Sequence, residues 1–154
     1  MKKIDDSRIY FYSALVTIVL AAVLVLVFAV SRYGVEAEVK ELLSVEDNVD
    51  RNYREAYILL RKPHVFAGYE NFDAGGITVK NTLLYFDKKV YNSLPFSPEE
   101  KRYLEMLLDR RHKGSILSLK TAVYFFLLSL VLWSVFIYER KKAGASGPDA
   151  QSAK

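Results

Sequence analysis

The chain is 154 residues long, about the length of one domain, and 51% of it is apolar. It holds no cysteine, which excludes disulfides, thiolate metal centres, cysteine nucleophiles and covalently attached c-type haem. The formal charge of +4 does not describe its middle: from Arg32 to Leu119, 14 Lys or Arg face 14 Asp or Glu, so the basic excess lies at the two ends, where it bears on membrane topology and not on nucleic acid.

Residues Met1 to Arg8 form a short basic leader, with Lys2, Lys3 and Arg8 against Asp5 and Asp6. An uncharged run follows, from Ile9 to Ser31. At about 1.5 Å of rise per residue it is long enough to cross a hydrocarbon core of about 30 Å. Its Leu, Ile, Val and Phe residues together favour insertion by roughly 5 kcal/mol. This predicts a transmembrane helix over 9–31. Ala29-Val30-Ser31 fits a signal-peptide cleavage site, but the run exceeds the roughly 7 to 15 residues of a signal core, which favours an uncleaved anchor. Tyr10, Phe11, Tyr12 and Tyr33 read as interfacial belts. Ser13, Thr17 and Ala21 recur every fourth residue and offer a narrow face for helix packing.

From Val35 the pattern becomes periodic. Val35, Val39, Leu42, Val49, Tyr53, Ala56 and Leu60 form an apolar seam, predicting an amphipathic helix that continues from the first span with a capping-box-like restart at Ser44. Glu36, Lys40, Glu41, Asp50, Arg51, Arg54 and Glu55 read as its solvated face. Pro63 ends the helix, and Gly68, Gly75 and Gly76 punctuate an irregular stretch carrying Phe66, Tyr69 and Phe72. Ile77 to Val79 reads as a short strand. Leu83, Leu84, Phe86, Val90, Tyr91 and Leu94 fit a short helix whose apolar face Asp87 interrupts.

Ser97-Pro98-Glu99-Glu100 is the clearest helix start in the chain: a serine cap, proline at the first position and acids in the first turn. The helix it opens carries Tyr103, Leu104, Leu107 and Leu108 on one side. Arg110, Arg111, His112 and Lys113 are expected to close it at a membrane boundary, with a bend at Gly114. A second span follows over 116–138, with Lys120 snorkelling at one end and Trp133 and Tyr138 at the other. Glu139 to Lys142 form a basic stop, and the Ala, Gly, Ser and Pro-rich residues from Ala143 to Lys154 read as a disordered tail.

The expected fold is a mainly α membrane protein. Two transmembrane helices flank a small, mostly helical extracytoplasmic domain over 32–115, with both termini in the cytoplasm of a bacterial or archaeal cell. Neither span carries an acid, histidine or arginine at mid-depth, which argues against an ion pathway or proton relay. His64 and His112 are the only imidazoles, fewer than the three protein ligands typical of catalytic zinc, so they read as surface residues and no metal or other cofactor is expected. No His-Glu-x-x-His, calcium loop or Gly-x-Ser-x-Gly occurs, and Asp73-Ala74-Gly75-Gly76 is a turn signal. The sequence thus points to a protein that is not an enzyme. Arg110, Arg111, Lys113 and Lys120 are candidates for lipid headgroup contacts, against the plainer reading that the cluster complements a helix C-terminus.

The expected partners are membrane lipids, other membrane subunits and further copies of the chain, with no nucleic acid. The function these features suggest is that of an accessory, assembly or scaffolding subunit of a membrane complex. The alternative is a sensory input module, weakened by the few residues that follow the basic stop.

Overall fold

The computed structural model describes residues 6–62 and 76–145, and among these every regular element is helical. Helix α1 spans Asp6–Ala29, passes into a π-helical turn over Val30–Glu36 and continues as α2, Ala37–Ser44. Helices α3 (Val49–Leu60) and α4 (Gly76–Tyr91) follow, then a 3-10 turn at Pro98–Glu100 that leads into α5, Lys101–Ala145. The helices Ser7–Ser44 and Pro98–Lys142 are long and apolar enough to cross a membrane. Two compact units divide the chain, Met1–Leu24 with Lys120–Lys154, and Val25–Leu119.

In the first unit the two helical stretches approach through small side chains. Ala14, Ala21, Ala122 and Ser129 are buried, and the Ser129 hydroxyl donates to the Ala14 carbonyl at 3.0 Å. Phe11 packs on Trp133 and Phe136, with ring centroids 5.8 and 5.5 Å apart. The outward sides stay apolar and exposed, at Leu15, Val16, Val19, Tyr124, Leu127 and Val131 among others. A helix that is apolar all round needs an apolar surrounding on every side.

The second unit holds one continuous core, built from Val35, Val39 and Leu43, from Tyr53, Ala56, Tyr57, Leu59 and Leu60, from Val79, Leu83 and Phe86, and from Phe96, Leu104, Leu107 and Leu108. Phe86 stacks flat on Phe96 at 5.4 Å, and the Arg54 and Lys89 cations lie over the Phe96 ring. Asp50 Oδ1 accepts the Phe96 amide at 2.7 Å and Arg54 donates to the Leu94 carbonyl at 3.1 Å, so the segment after α4 is pinned to α3.

Five expectations change. Residues Ile77 to Val79 are not a strand: they belong to the first turns of α4, because Val79, Leu83, Phe86 and Val90 continue at helical spacing into the core and outweigh the β-branched start. Asp87 does not break that face, since it meets the Tyr57 phenol and pairs with Arg61 at 3.1 Å. The restart after α2 lies at Asn48, in the left-handed conformation that Asn tolerates, and not at Ser44, whose hydroxyl folds back to the Glu41 carbonyl. Gly114 makes no bend and Arg110 to Lys113 end no helix: α5 runs through them, since a lone interior glycine costs only about 1 kcal/mol against alanine and no terminating motif accompanies it. Finally, α5 continues to Ala145, into the stretch expected to be disordered. Pro63, His64, Phe66, Gly68, Tyr69, Phe72 and Asp73 to Gly75 lie outside the described residues.

Candidate functional site

Where α1 meets α2, the helix changes its winding. In an α-helix, positions five apart stand about 140° apart around the axis, so Ser31 and Glu36 would point different ways. The i→i+5 pattern of a π-turn brings such positions onto one face, and Ser31, Val35 and Glu36 are all buried here. Gly34 lies within this turn in open space, so the turn is not held by close packing around the glycine. Glu36 was expected on the solvated face of the amphipathic helix; instead it is only 1% exposed, because the π-turn widens the buried face by one position.

The buried carboxylate is fully used. Its Oε1 accepts from the Ser115 hydroxyl at 2.7 Å and has Ser31 Oγ at 3.4 Å. Its Oε2 accepts from Arg32 Nη1 at 3.0 Å and faces His112 Nδ1 at 2.9 Å. With the carboxylate ionised, Nδ1 carries a proton and donates, which leaves Nε2 as the imidazole's free position. Burial pushes the Glu36 carboxyl up, and the hydrogen bonds from Ser115, His112 and Arg32 outweigh it, so the group sits below its ordinary value.

Behind this pair stands Arg111, only 3% exposed. Its Nε donates to Ser31 Oγ at 3.2 Å, and its Nη1 reaches the Leu60 and Lys62 carbonyls at 3.3 and 3.0 Å. Those carbonyls lie at the C-terminal end of α3, where the last helical acceptors have no partner of their own. Arg111 thus caps α3 in trans and, through Ser31 and Ser115 at 2.8 Å from each other, joins three segments of the chain. Three residues further on, the fully buried Ser118 hydroxyl has no hydrogen-bond partner among the described residues.

The residues singled out from the sequence fall as follows. In the first unit Ala21 is buried and Ser13 and Thr17 are half-buried, the Thr17 hydroxyl lying 3.0 and 2.9 Å from the Ser13 and Ala14 carbonyls. Val35, Val39, Tyr53, Ala56 and Leu60 are buried in the core of the second unit, with Leu42 and Val49 packed partly against it, so this seam covers the chain's own helices. Of the basic cluster, Arg111 faces inward as described, Arg110 is half-buried, and Lys113 is exposed and paired with Asp109 at 2.7 Å. Lys120 is exposed.

Ser31, Arg32, Glu36 and Ser115 were not expected to form a site. Two faint signals pointed to them: the Arg32–Glu36 spacing of four, which suits an ion pair on one helix, and hydroxyls at the border of each apolar run, Ser31 closing the first and Ser115 just before the second. Chemically, the arrangement holds a carboxylate ionised and positions a half-exposed Arg32 and His112 at its rim. Ser115 has a carboxylate beside it but is fully buried among these groups. Among the described residues no three His, Asp or Glu side chains converge as a metal centre requires. No protein-family model, no curated protein and no solved structure matches this chain.

Proposed function

We propose that this chain is an integral membrane protein that works by association, as an accessory, assembly or scaffolding subunit of a larger membrane complex. In this reading α1 and α5 cross the plasma membrane of a bacterium or archaeon, both termini are cytoplasmic, and the helical domain between the spans faces outward. The observation that carries it is the outer face of α4. Asn81, Leu84, Tyr85, Lys88 and Tyr91 recur at helical spacing on that face, and Leu84 and Tyr91 are 57% and 89% exposed. These positions lie outside both apolar runs, so lipid does not account for them, and clustered exposed apolar side chains on a water-facing domain mark a surface for a protein partner.

A photo-crosslinking residue at Tyr91 tests this in native membranes. The expected result is a discrete adduct with a second membrane protein; purification in mild detergent that returns a monomer with no adduct overturns the reading. Orientation is tested separately by Ser93→Cys, which a membrane-impermeant thiol reagent labels in intact cells if the domain faces outward. The sensory alternative is favoured by one feature, a cavity of about 440 Å³ lined by Asn81, Thr82, Tyr85 and Tyr103. A small molecule that protects Tyr103→Cys from labelling in that cavity would favour it.

A further inference from the structure

We propose that a cavity between α2 and the first turns of α5 binds a free apolar amino acid as its zwitterion, with Lys40 and Lys101 taking the carboxylate and Glu105 the ammonium group. The cavity measures about 320 Å³ and is lined by Lys40, Leu43, Ser44, Lys101, Glu105 and Leu108. All six belong to the second unit, so the inference adds a ligand to the association reading above without depending on which side of the membrane that unit faces. The volume lies at the low end of the roughly 300 to 1,000 Å³ of small-molecule sites, which suits a ligand of amino-acid size.

Unused charge sets this cavity apart. Among the described residues neither the Lys40 nor the Lys101 ammonium has a hydrogen bond or ion pair, and the Glu105 carboxylate has none either. Elsewhere in the unit, opposite charges four residues apart close on one another: Arg51 on Glu55 at 2.9 Å and Lys113 on Asp109 at 2.7 Å. Lys101 and Glu105 have that spacing on α5, with the basic residue first as in Arg51 and Glu55, yet they stand apart. Lysine offers only donors and a carboxylate only acceptors, so the lining supplies partners for both halves of a zwitterion. Burial pushes the Tyr53 phenol up and the Glu105 and Glu46 charges push it further, so two carboxylates lie at the Glu105 end and balance the two ammonium groups. A simple anion is drawn to the lysines and repelled by the acids, whereas an ammonium group on the same ligand turns both into attractions. Ser44 donates its proton to the Glu41 carbonyl at 2.7 Å, which leaves its oxygen as a further acceptor for that ammonium. Leu43 and Leu108, 4% and 8% exposed, form the apolar part of the lining, against which the ligand's side chain loses water.

Isothermal titration calorimetry of the full-length protein in mild detergent tests this with L-leucine, L-methionine and L-phenylalanine. At least one is expected to bind saturably, and L-aspartate, whose second carboxylate would lie against Leu43 and Leu108, is expected not to bind. Lys40→Gln, Lys101→Gln and Glu105→Gln should each weaken that binding about fivefold, the equivalent of about 1 kcal/mol for one exposed charge pair. None of the three side chains is buried, so the variants should keep the unfolding midpoint of the wild type. Lys80→Gln, exposed on α4 and outside the lining, should leave binding unchanged.

Absence of saturable binding by all three amino acids overturns the site, as does an affinity that ignores both lysine variants or falls equally in Lys80→Gln. Isocaproate keeps the side chain and carboxylate of leucine without its ammonium group, and it should bind more weakly than L-leucine. Binding as tight as that of L-leucine, and unaffected by Glu105→Gln, assigns the cavity to apolar carboxylates and overturns the zwitterion. The association reading fails by a different result: a monomer with no adduct at Tyr91 overturns that reading and leaves this site standing.

Discussion

Glu36 and Glu100 are two glutamates buried in the same helical unit, at 1% and 5% exposure, and different kinds of partner keep each one ionised. Glu100 draws its partners from within 15 positions of the chain. Its Oε2 accepts the Ser97 amide at 2.6 Å to complete the capping box, while Oε1 accepts from Tyr85 at 2.6 Å and from Lys89 one helix away. Glu36 has Arg32 and Ser31 nearby, but Ser115 and His112 lie 79 and 76 positions along the chain. The first is a local device reinforced by packing; the second exists only once α5 is docked. A locally built site tolerates loss of a distant partner, whereas a site assembled from distant segments couples each member to the whole fold.

The largest expected effect therefore comes from the second. Glu36→Ala removes the acceptor of the buried Ser115 and the counter-ion of the half-exposed Arg32, two hydrogen bonds to a charged group that cost about 1.5 to 3 kcal/mol each. Unfolding in mild detergent, followed by circular dichroism, should show a midpoint well below that of the wild type. A loss under about 1 kcal/mol would place Glu36 among ordinary surface pairs and dissolve the contrast with Glu100.

Glu100→Ala removes the capping-box acceptor and the counter-ion of Lys89, and should cost about 2 to 3 kcal/mol. Acid sharpens this comparison. Burial pushes the Glu100 carboxyl up, but Lys89, Tyr85 and the Ser97 amide together hold it below its ordinary 4.5. A carboxylate held lower in the folded than in the unfolded state contributes stability that is complete above the unfolded value and disappears as pH falls through the folded one. The unfolding midpoint should thus stay level from neutrality to about pH 5 and fall below it. In Glu100→Ala that acid limb should be shallower; a limb as steep as wild type would show that Glu100 is not held low.

This contrast also explains what the sequence revealed. The start at Ser97 to Glu100 was legible because its signal spans four residues and its hydrogen bonds close within them. The seam residues Val35, Val39, Tyr53, Ala56 and Leu60 were legible because a period of 3.6 survives whatever the helix packs against. Glu36 was not, because one extra residue in a π-turn shifts the phase of every later position and leaves no compositional mark. Arg111 was misplaced for a related reason: a cluster of four basic and imidazole residues reads as solvated until a partner helix end, here that of α3, needs a donor. Both membrane-length helices were legible from composition alone, yet the uninterrupted passage of α5 through Gly114 was not, since a single glycine has the same appearance at a bend and in a helix interior.

The smallest expected effects separate two serines one helical turn apart on α5, and they carry opposite signs. Ser115 lies within reach of Ser31, Glu36 and the Arg111 carbonyl, and its single proton serves one of these while its oxygen accepts from another. Ser118 is equally buried and has no partner among the described residues. Removing a used hydroxyl leaves its partners short, at a cost of about 1 to 2 kcal/mol, whereas removing an unused one relieves a desolvation cost of similar size. Ser115→Ala should therefore lower the unfolding midpoint and Ser118→Ala should leave it level or raise it, in the same detergent and at the same pH. If both variants lose stability alike, the Glu36 network extends one turn further along α5 than the Ser115 contacts imply.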